Sequence, residues 1–482
     1  MAGIVSYGAY IPWYRMPRKT IGAAMGWFNP SVLPGEKAVS NFDEDSVTMG
    51  VAASVDCLKG FPREEIGALY FATTTAPYKE RQNAGIIAGA LDLRGDLRTA
   101  DVTDTVKSGS SALLSACEAV KTGGVKQALV CAADTRLGKM GSVQEQLFGD
   151  GAAAFLLGEE NVIANLEGFY SFNVDFVDHR RAQQDKFDRS WEERWIRDIG
   201  YLEFIPQAVA GLLKKYNLKI NDFSKVVYTC PYNREHTVLG KKLGLSPDKL
   251  QDNLVAGIGD TGAAYSLMML VGALEEAKPG DKIMLVSYGN GCEALYFTVT
   301  EGIEKIRDRK GIKKNLAIKN ELNNYEKYAV FRNMIPLEVG IRGEEIAFTQ
   351  LSTIFRERKT VLSLCGVKCK KCGTPQFPAQ RVCVNPECGA IDQMDEYRFS
   401  DKKGHLFTYT GDNLAASVNP PAIYGVVDFE GGGRYVFDLT DCTLESLKVG
   451  MSVEMSFRRK YTDEGRGIYG YFWKAVPVKE DI

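Results

Sequence analysis

One strand-turn-strand pattern occurs twice in this chain, and that recurrence limits the fold more than any other feature. Residues 126 to 158 contain KQALVCAADTR and then GDGAAAFLLG, and residues 281 to 299 read DKIMLVSYGNGCEALYFTV. In each, an apolar strand ends in small or turn-forming residues and a second strand soon returns. A helix precedes each pair, SALLSACEAVKTG in the first and AAYSLMMLVGALEEAKPG in the second. Strands alternating with longer helices predict layered α/β architecture to about residue 300, and the repeat predicts a duplicated half-domain.

The chain has 482 residues, 45% hydrophobic and 25% charged, which is enough for two or three domains with cores of their own. A net charge of -2 gives no basic excess of the kind nucleic-acid binders carry. The opening MAGIVSYGAYIPWYR has no basic stretch followed by an apolar run, and no segment approaches the roughly 20 apolar residues of a membrane span. No membrane partner and a cytoplasmic location are expected. Of eleven cysteines, seven (Cys57, Cys117, Cys131, Cys230, Cys292, Cys365, Cys442) lack framework spacing, as suits a reducing compartment. Cys117 and Cys131 fall in apolar patterns and read as core.

The other four form CKKCGTPQFPAQRVCVNPECG: Cys369, Cys372, Cys383 and Cys388. Zinc takes four thiolates at tetrahedral corners, and a tight Cys-x-x-Cys turn supplies two at the right bite. Glycines after Cys372 and Cys388 permit the turns that aim amides at sulfur. Because all four corners are protein thiolates, the expected Zn2+ is structural. From Gly404 onward, HLFTYTG, AIYGVVDF, RYVFDL, SVEMSFRR and YGYFWKAV read as strands of a small all-β barrel. Tyr409, Tyr424, Phe457 and Arg458 would suit a single-strand nucleic-acid groove; barrel filling or a protein interface is the competing reading, and no nucleic acid is expected.

The N-terminal 300 residues resemble 3-hydroxy-3-methylglutaryl-CoA synthase of the thiolase superfamily. The resemblance rests on GIVSYGAYIPWYR, FDEDSVTMGVAAS, GALYFATTTAPY, GSSALLSACEAVKTG, ALVCAADTR, DFVDHRR and AKPGDKIMLVSYGNG in that order. Residues 360 to 480 resemble the zinc-ribbon/OB domain that accompanies thiolase-type enzymes. Together these imply a five-layer thiolase fold of duplicated βαβαββ halves, then a zinc ribbon and an OB-fold barrel. The expected division is 1-160 and 161-345 for the two halves, 346-400 for a helix and the ribbon, and 401-482 for the barrel.

The resemblance also implies a site: a cysteine at a helix N-terminus that takes an acyl group from CoA, an acid/base glutamate, and a histidine and an asparagine that position the thioester. The helix dipole and free amides would lower the thiol pKa and stabilise an oxyanion. At the matching positions this chain has Val106, Thr74, Thr229 and Asp260. All four differ, while Pro77, Gly109, Pro231, Gly259 and Gly262 stay in step.

Two readings compete. In one, the chain is a non-catalytic synthase-like subunit that pairs with a cysteine-bearing thiolase, similar to the component of the complex that acetylates phloroglucinols. In the other, it is a cysteine-independent acyl-CoA aldolase or retro-aldolase, similar to thiolase-fold aldolases of steroid side-chain breakdown. That chemistry needs a base and an oxyanion hole, for which Asp260 and His236, with Tyr288 or Tyr232 as donors, are the available groups. Cys230, and less so Cys292, are candidates for a displaced nucleophile. Lys107, Arg180 and Arg181 are candidate CoA contacts. His236 reads equally as a surface or helix-start residue, and Asp260 as a helix cap. A homodimer or a hetero-oligomer is expected, because the edge strand of a thiolase sheet would otherwise be open.

Overall fold

The computed structural model describes residues 2–344 and 348–479; the boundary expected between 345 and 346 lies outside the described residues. The chain forms two compact units. The first comprises Met1–Ser40, Asp45–Gly85 and Leu93–Tyr328, and the second Asn41–Glu44, Ile86–Asp92 and Ala329–Ile482.

In the first unit, β1 (Gly3–Tyr10), β2 (Ile66–Ala72), β3 (Arg98–Val102), β4 (Gln127–Asp134) and β5 (Gly151–Gly158) lie in the order β3-β2-β4-β5-β1. Strand β2 runs parallel to β3 and β4, and β5 is antiparallel to β4 and β1. Next come β6 (Ala164–Asn173), β7 (Lys225–Tyr228), β8 (Lys282–Tyr288) and β9 (Gly291–Val299), ordered β7-β8-β9-β6. Here β7 is parallel to β8, and β9 is antiparallel to both β8 and β6. A parallel bridge from Val226 to Leu250 on the far side of β7 stands where the first half has β3. The two halves therefore repeat one topology, with the outer strand of the second reduced to a bridge. Pairing of Gly3 and Ile4 with Asn165 and Ala164 joins them into one nine-stranded sheet.

The helices α1 (Ser46–Cys57), α2 (Ser108–Lys121), α3 (Ile205–Tyr216), α4 (Asn233–Lys242) and α5 (Tyr265–Glu276) are placed by their apolar faces. Helix α1 packs on β1, β4 and β5, α3 on β6, β8 and β9, and α2 and α5 on each other and on strands of both halves. Helix α5 is buried at every position from Tyr265 to Leu274, and a helix with no polar face belongs in the middle of a fold. Strands β4 and β5 are buried at all eight positions each. Helices cover both their faces, so their sequences show apolar runs rather than alternation. Cys117 and Cys131 lie in this interior, where burial pushes each thiol up to about 12.

In the second unit, β10 (Cys365–Cys369), β11 (Pro375–Gln376) and β12 (Met394–Arg398) form a small sheet ordered β11-β10-β12. The strands β13 (Gly404–Asp412), β14 (Ala422–Phe429), β15 (Arg434–Asp438), β16 (Ser452–Asp463) and β17 (Ile468–Pro477) follow in the order β15-β14-β13-β16-β17. A bridge from Leu439 to Ala475 ties the end of β15 to β17 and closes the barrel. The nucleic-acid alternative loses two of its four residues here. Phe457 and Arg458 are 2% and 1% exposed. The Arg458 guanidinium lies against Glu44 at 2.7 Å and Asp441 at 2.5 Å, so it has no charge to offer a phosphate. No helix among the described residues is long and apolar enough to cross a membrane.

Candidate functional site

Ligands of parallel α/β sheets bind beyond the carboxyl ends of the strands. In the first unit those ends are Thr73–Thr75 after β2, Asp134–Arg136 after β4, Thr229–Tyr232 after β7 and Tyr288–Gly289 at the end of β8. The N-terminus of α2, with Val106 and Lys107 just ahead of it, joins them. A Cβ on Gly289 would stand 2.6 Å from Thr105 Oγ1 and 3.1 Å from Val106 Cγ2, so only glycine lets β8 approach that helix start. Thr229 Oγ1 accepts the Tyr288 N–H at 3.0 Å. Thr229, Tyr288, Gly289 and Val106 are thus contiguous.

Thr74 belongs to a different cluster. The buried Asp134 carboxylate accepts the hydroxyls of Thr73, Thr74 and Thr75 at 2.9, 2.8 and 2.7 Å. It also accepts the N–H groups of Thr74 at 2.7 Å and Ala263 at 2.8 Å. Two residues on, Arg136 pairs with Asp188 at 2.7 Å and Asp260 at 3.2 Å, and its guanidinium lies 3.9 Å over the Phe148 ring. Burial disfavours that cation, but the charges of Asp188, Asp260 and Asp134 outweigh it and raise its pKa. Asp260 also accepts the Gly262 N–H at 2.9 Å, but Thr261 and Ala264 stand at the N-caps of the short turn Gly262–Ala264 and of α5, so the helix-cap reading of Asp260 is not met.

Tyr288 gives its hydroxyl to Asp178 at 2.7 Å, and the other Asp178 oxygen is 2.9 Å from His179 Nδ1. Burial works against the Asp178 carboxylate, yet the hydrogen bonds from His179 and Tyr288 hold its pKa below the ordinary value. Tyr201 lies over this group, its ring 4.7 Å from Tyr288 and 5.8 Å from Tyr232. Tyr201 is carried by a π-helical segment, Ile196–Phe204, a geometry that recurs at functional sites.

The remaining candidates divide. His236 is 6% exposed, which overturns its reading as a surface residue. Its ring packs 4.7 Å from Tyr228, its Nε2 has no hydrogen-bond partner among the described residues, and burial lowers its pKa to about 4. Cys230 and Cys292 are fully buried, and burial pushes both thiols far up, the reverse of what a nucleophile requires. Lys107 lies 3.5 Å from Glu293, which also accepts the hydroxyls of Ser110 and Ser111. Arg181 pairs with Asp188 at 3.3 Å and donates to the Thr74 carbonyl. Of the three basic candidates, only Arg180 is exposed. Sequence reasoning passed over Asp134, Arg136, Asp178 and His179, although ALVCAADTR and DFVDHRR carry all four.

In the second unit, one ligand atom from each of Cys369, Cys372, Cys383 and Cys388 lies within 4.8 Å of the others. The Sγ atoms of Cys369 and Cys388 are 3.8 Å apart, and those of Cys372 and Cys383 3.5 Å. A tetrahedron with Zn–S bonds of about 2.3 Å has edges of about 3.8 Å, so the four thiols fit zinc. Gly373 at φ 76 and Gly389 at φ 54 make the turns after Cys372 and Cys388.

These features define a thiolase-type acyl-synthase fold carrying a zinc ribbon and an OB barrel. Family descriptions agree: 3-oxoacyl-[acyl-carrier-protein] synthase III matches residues 100–173 and its C-terminal part 213–298. The ChsH2 rubredoxin-like zinc ribbon domain matches 357–392, and the ChsH2 C-terminal OB-fold domain 397–458. The hydroxymethylglutaryl-CoA synthase of Pyrococcus furiosus is 34% identical over 337 residues, 68% of this chain and 95% of that protein. That of Methanopyrus kandleri is 33% identical over 316 residues, 64% of this chain and 90% of the relative. The chain belongs to the hydroxymethylglutaryl-CoA synthase family. Among solved structures, an HMG-CoA synthase complexed with CoA superposes with a TM-score of 0.63 at 20% identity, covering 72% of this chain and 94% of the other. PksG, an HMG-CoA synthase from Bacillus subtilis, gives 0.60 at 21% identity, covering 69% and 89%.

Proposed function

We propose that this chain is a synthase-like subunit of a cytoplasmic complex that forms or cleaves carbon–carbon bonds in acyl-CoA thioesters. In this reading it forms no acyl-enzyme of its own, and a cysteine-bearing thiolase partner supplies the covalent step. The observation that carries the proposal is Val106 at the start of α2, a hydrocarbon side chain where the family acylates a thiol. Thr74 and Asp260 support it, because both are consumed by bonds to Asp134, Arg136 and Gly262. The partner reading draws on β3, which ends the nine-stranded sheet and is partly exposed along its length. An open edge of that kind favours pairing with a second thiolase fold, either another copy or the catalytic partner.

The test is to purify the chain alone and with a co-expressed thiolase, supply acyl-CoA thioesters, and locate acyl adducts by mass spectrometry. The expected adduct is on the partner's cysteine, with none on this chain. An adduct on Cys230 or Cys292 would overturn the proposal.

The Tyr288–Asp178–His179 arrangement favours a second reading, a cysteine-independent aldolase, since such chemistry needs only proton transfer and oxyanion stabilisation. Turnover by the chain alone selects it over the first.

A further inference from the structure

We infer that Tyr288 is a catalytic residue that takes or gives the hydroxyl proton when a 3-hydroxyacyl thioester is cleaved or formed, with Asp178 and His179 as positioning residues. The inference rests on the reading that these strand ends handle acyl-CoA, and it names the group that does the proton transfer there.

Position comes first. The Tyr288 backbone bonds Thr229, and the following residue presses on Val106. The phenol therefore belongs to a residue between the two places where the family keeps its histidine and cysteine. It is also held in one orientation. A Cβ on Gly200 would come within 2.6 Å of the phenol oxygen, so the π-helical segment closes directly on it, and Tyr201 covers the ring.

The hydrogen-bond partner is informative as well. Tyr228 and Tyr265, in the same part of the fold, give their hydroxyls to the backbone carbonyls of His236 and Asn253. Tyr288 gives its hydroxyl to a buried carboxylate that has an imidazole on its other oxygen. The His179 side chain is 27% exposed, so the series runs from an enclosed phenol through a carboxylate to an imidazole that reaches solvent. A hydroxyl set in such a series can pass a proton without a change in its own net charge.

In the cleavage direction the substrate O–H bond breaks, its electron pair becomes the second bond of a carbonyl, and the adjacent C–C bond breaks. That bonding pair moves onto the thioester as an enolate. The substrate proton goes to the Tyr288 oxygen as the phenol proton moves to Asp178. Water protonates the enolate carbon, and Asp178 returns its proton through Tyr288 to the hydroxide left behind, while His179, donating to the other Asp178 oxygen, holds the carboxylate in place. One proton leaves and one returns, with no oxidant or reductant. Bond formation is the same sequence reversed.

The test uses the full chain, alone and with its thiolase, on 3-hydroxy-3-methylglutaryl-CoA and a panel of shorter 3-hydroxyacyl-CoA probes, following release of the smaller acyl-CoA. Tyr288→Phe keeps the ring packing and should lower kcat by about 100-fold with KM little changed, within the range for loss of general acid–base catalysis. Asp178→Asn should lower kcat about 10-fold and convert a two-proton solvent isotope effect into a one-proton effect, which a purely structural role would leave alone. Thermal unfolding of each variant near that of the parent excludes misfolding as the cause. Undiminished turnover by Tyr288→Phe, or an unaltered isotope effect in Asp178→Asn, overturns this assignment alone. A parent chain inert on every probe, with and without thiolase, overturns the acyl-CoA reading and this inference with it.

Discussion

Thr74 is joined to Asp134 twice, through its backbone N–H at 2.7 Å and its hydroxyl at 2.8 Å. Thr74, where the resemblance implies an acid/base carboxylate, is thus a donor to a different carboxylate, and Thr73, Thr75 and Ala263 complete the shell. Asp134→Ala would leave those donors buried without an acceptor and Arg136 short of one neighbouring charge. Breaking a buried charged network in this way costs about 3–5 kcal/mol. Denaturant unfolding should show that loss; a variant as stable as the parent would mean that water replaces the carboxylate.

The duplicated half and the five barrel strands were legible in the sequence because each is a local pattern of period and turn chemistry. The family resemblance implied departures at Val106, Thr74, Thr229 and Asp260, but not which groups surround those positions. The groups around them pair residues distant in the chain: Arg136 with Asp188 across 52 positions, and Tyr288 with Asp178 across 110. Such contacts run from strand ends into irregular segments that carry no periodicity. The groove alternative for Arg458 fails for a related reason. Strand pattern says nothing of acids arriving from elsewhere, and Asp43 and Glu44 lie more than 400 positions upstream. Against the burial cost, Lys474 and Arg458 hold the Asp43 pKa below its ordinary value, which makes the group a closed ion cluster rather than a binding surface.

Val106→Cys offers a direct comparison of environments. Val106 is partly exposed just ahead of α2, where the helix dipole favours a thiolate. Cys230 and Cys292 lie in apolar surroundings that push their thiols up. At neutral pH, iodoacetamide should therefore modify the new thiol at least about 10-fold faster than either native one, as peptide mass spectrometry would show. Equal rates would contradict the burial assigned to Cys230 and Cys292.

Metal analysis of the purified chain should find about one zinc per chain. Cys369→Ser or Cys388→Ser should release it and unfold the ribbon, because the binding free energy of a structural site is folding free energy. Limited proteolysis would then cut within residues 365–395, while β1 to β9 stay protected. A ribbon that resists protease after chelation would show that its small sheet and the Phe377–Phe399 contact at 5.5 Å hold it without metal.

His236 gives the first unit one acid-sensitive group. In the folded chain burial lowers its pKa to about 4, against 6.5 for the free side chain. Between those values the unfolded chain binds a proton that the folded chain does not. Stability from this group is therefore fully present above about pH 6.5 and is lost as pH falls toward 4, at about 1.4 kcal/mol per unit. Replacing His236 by phenylalanine keeps a ring against Tyr228 and removes the titration. Comparing urea unfolding of parent and variant from about pH 7 to about pH 5, the difference should move in favour of His236→Phe by about 2 kcal/mol. A pH-independent difference would show that the imidazole finds a proton-sharing partner in the folded state, contrary to its bare Nε2.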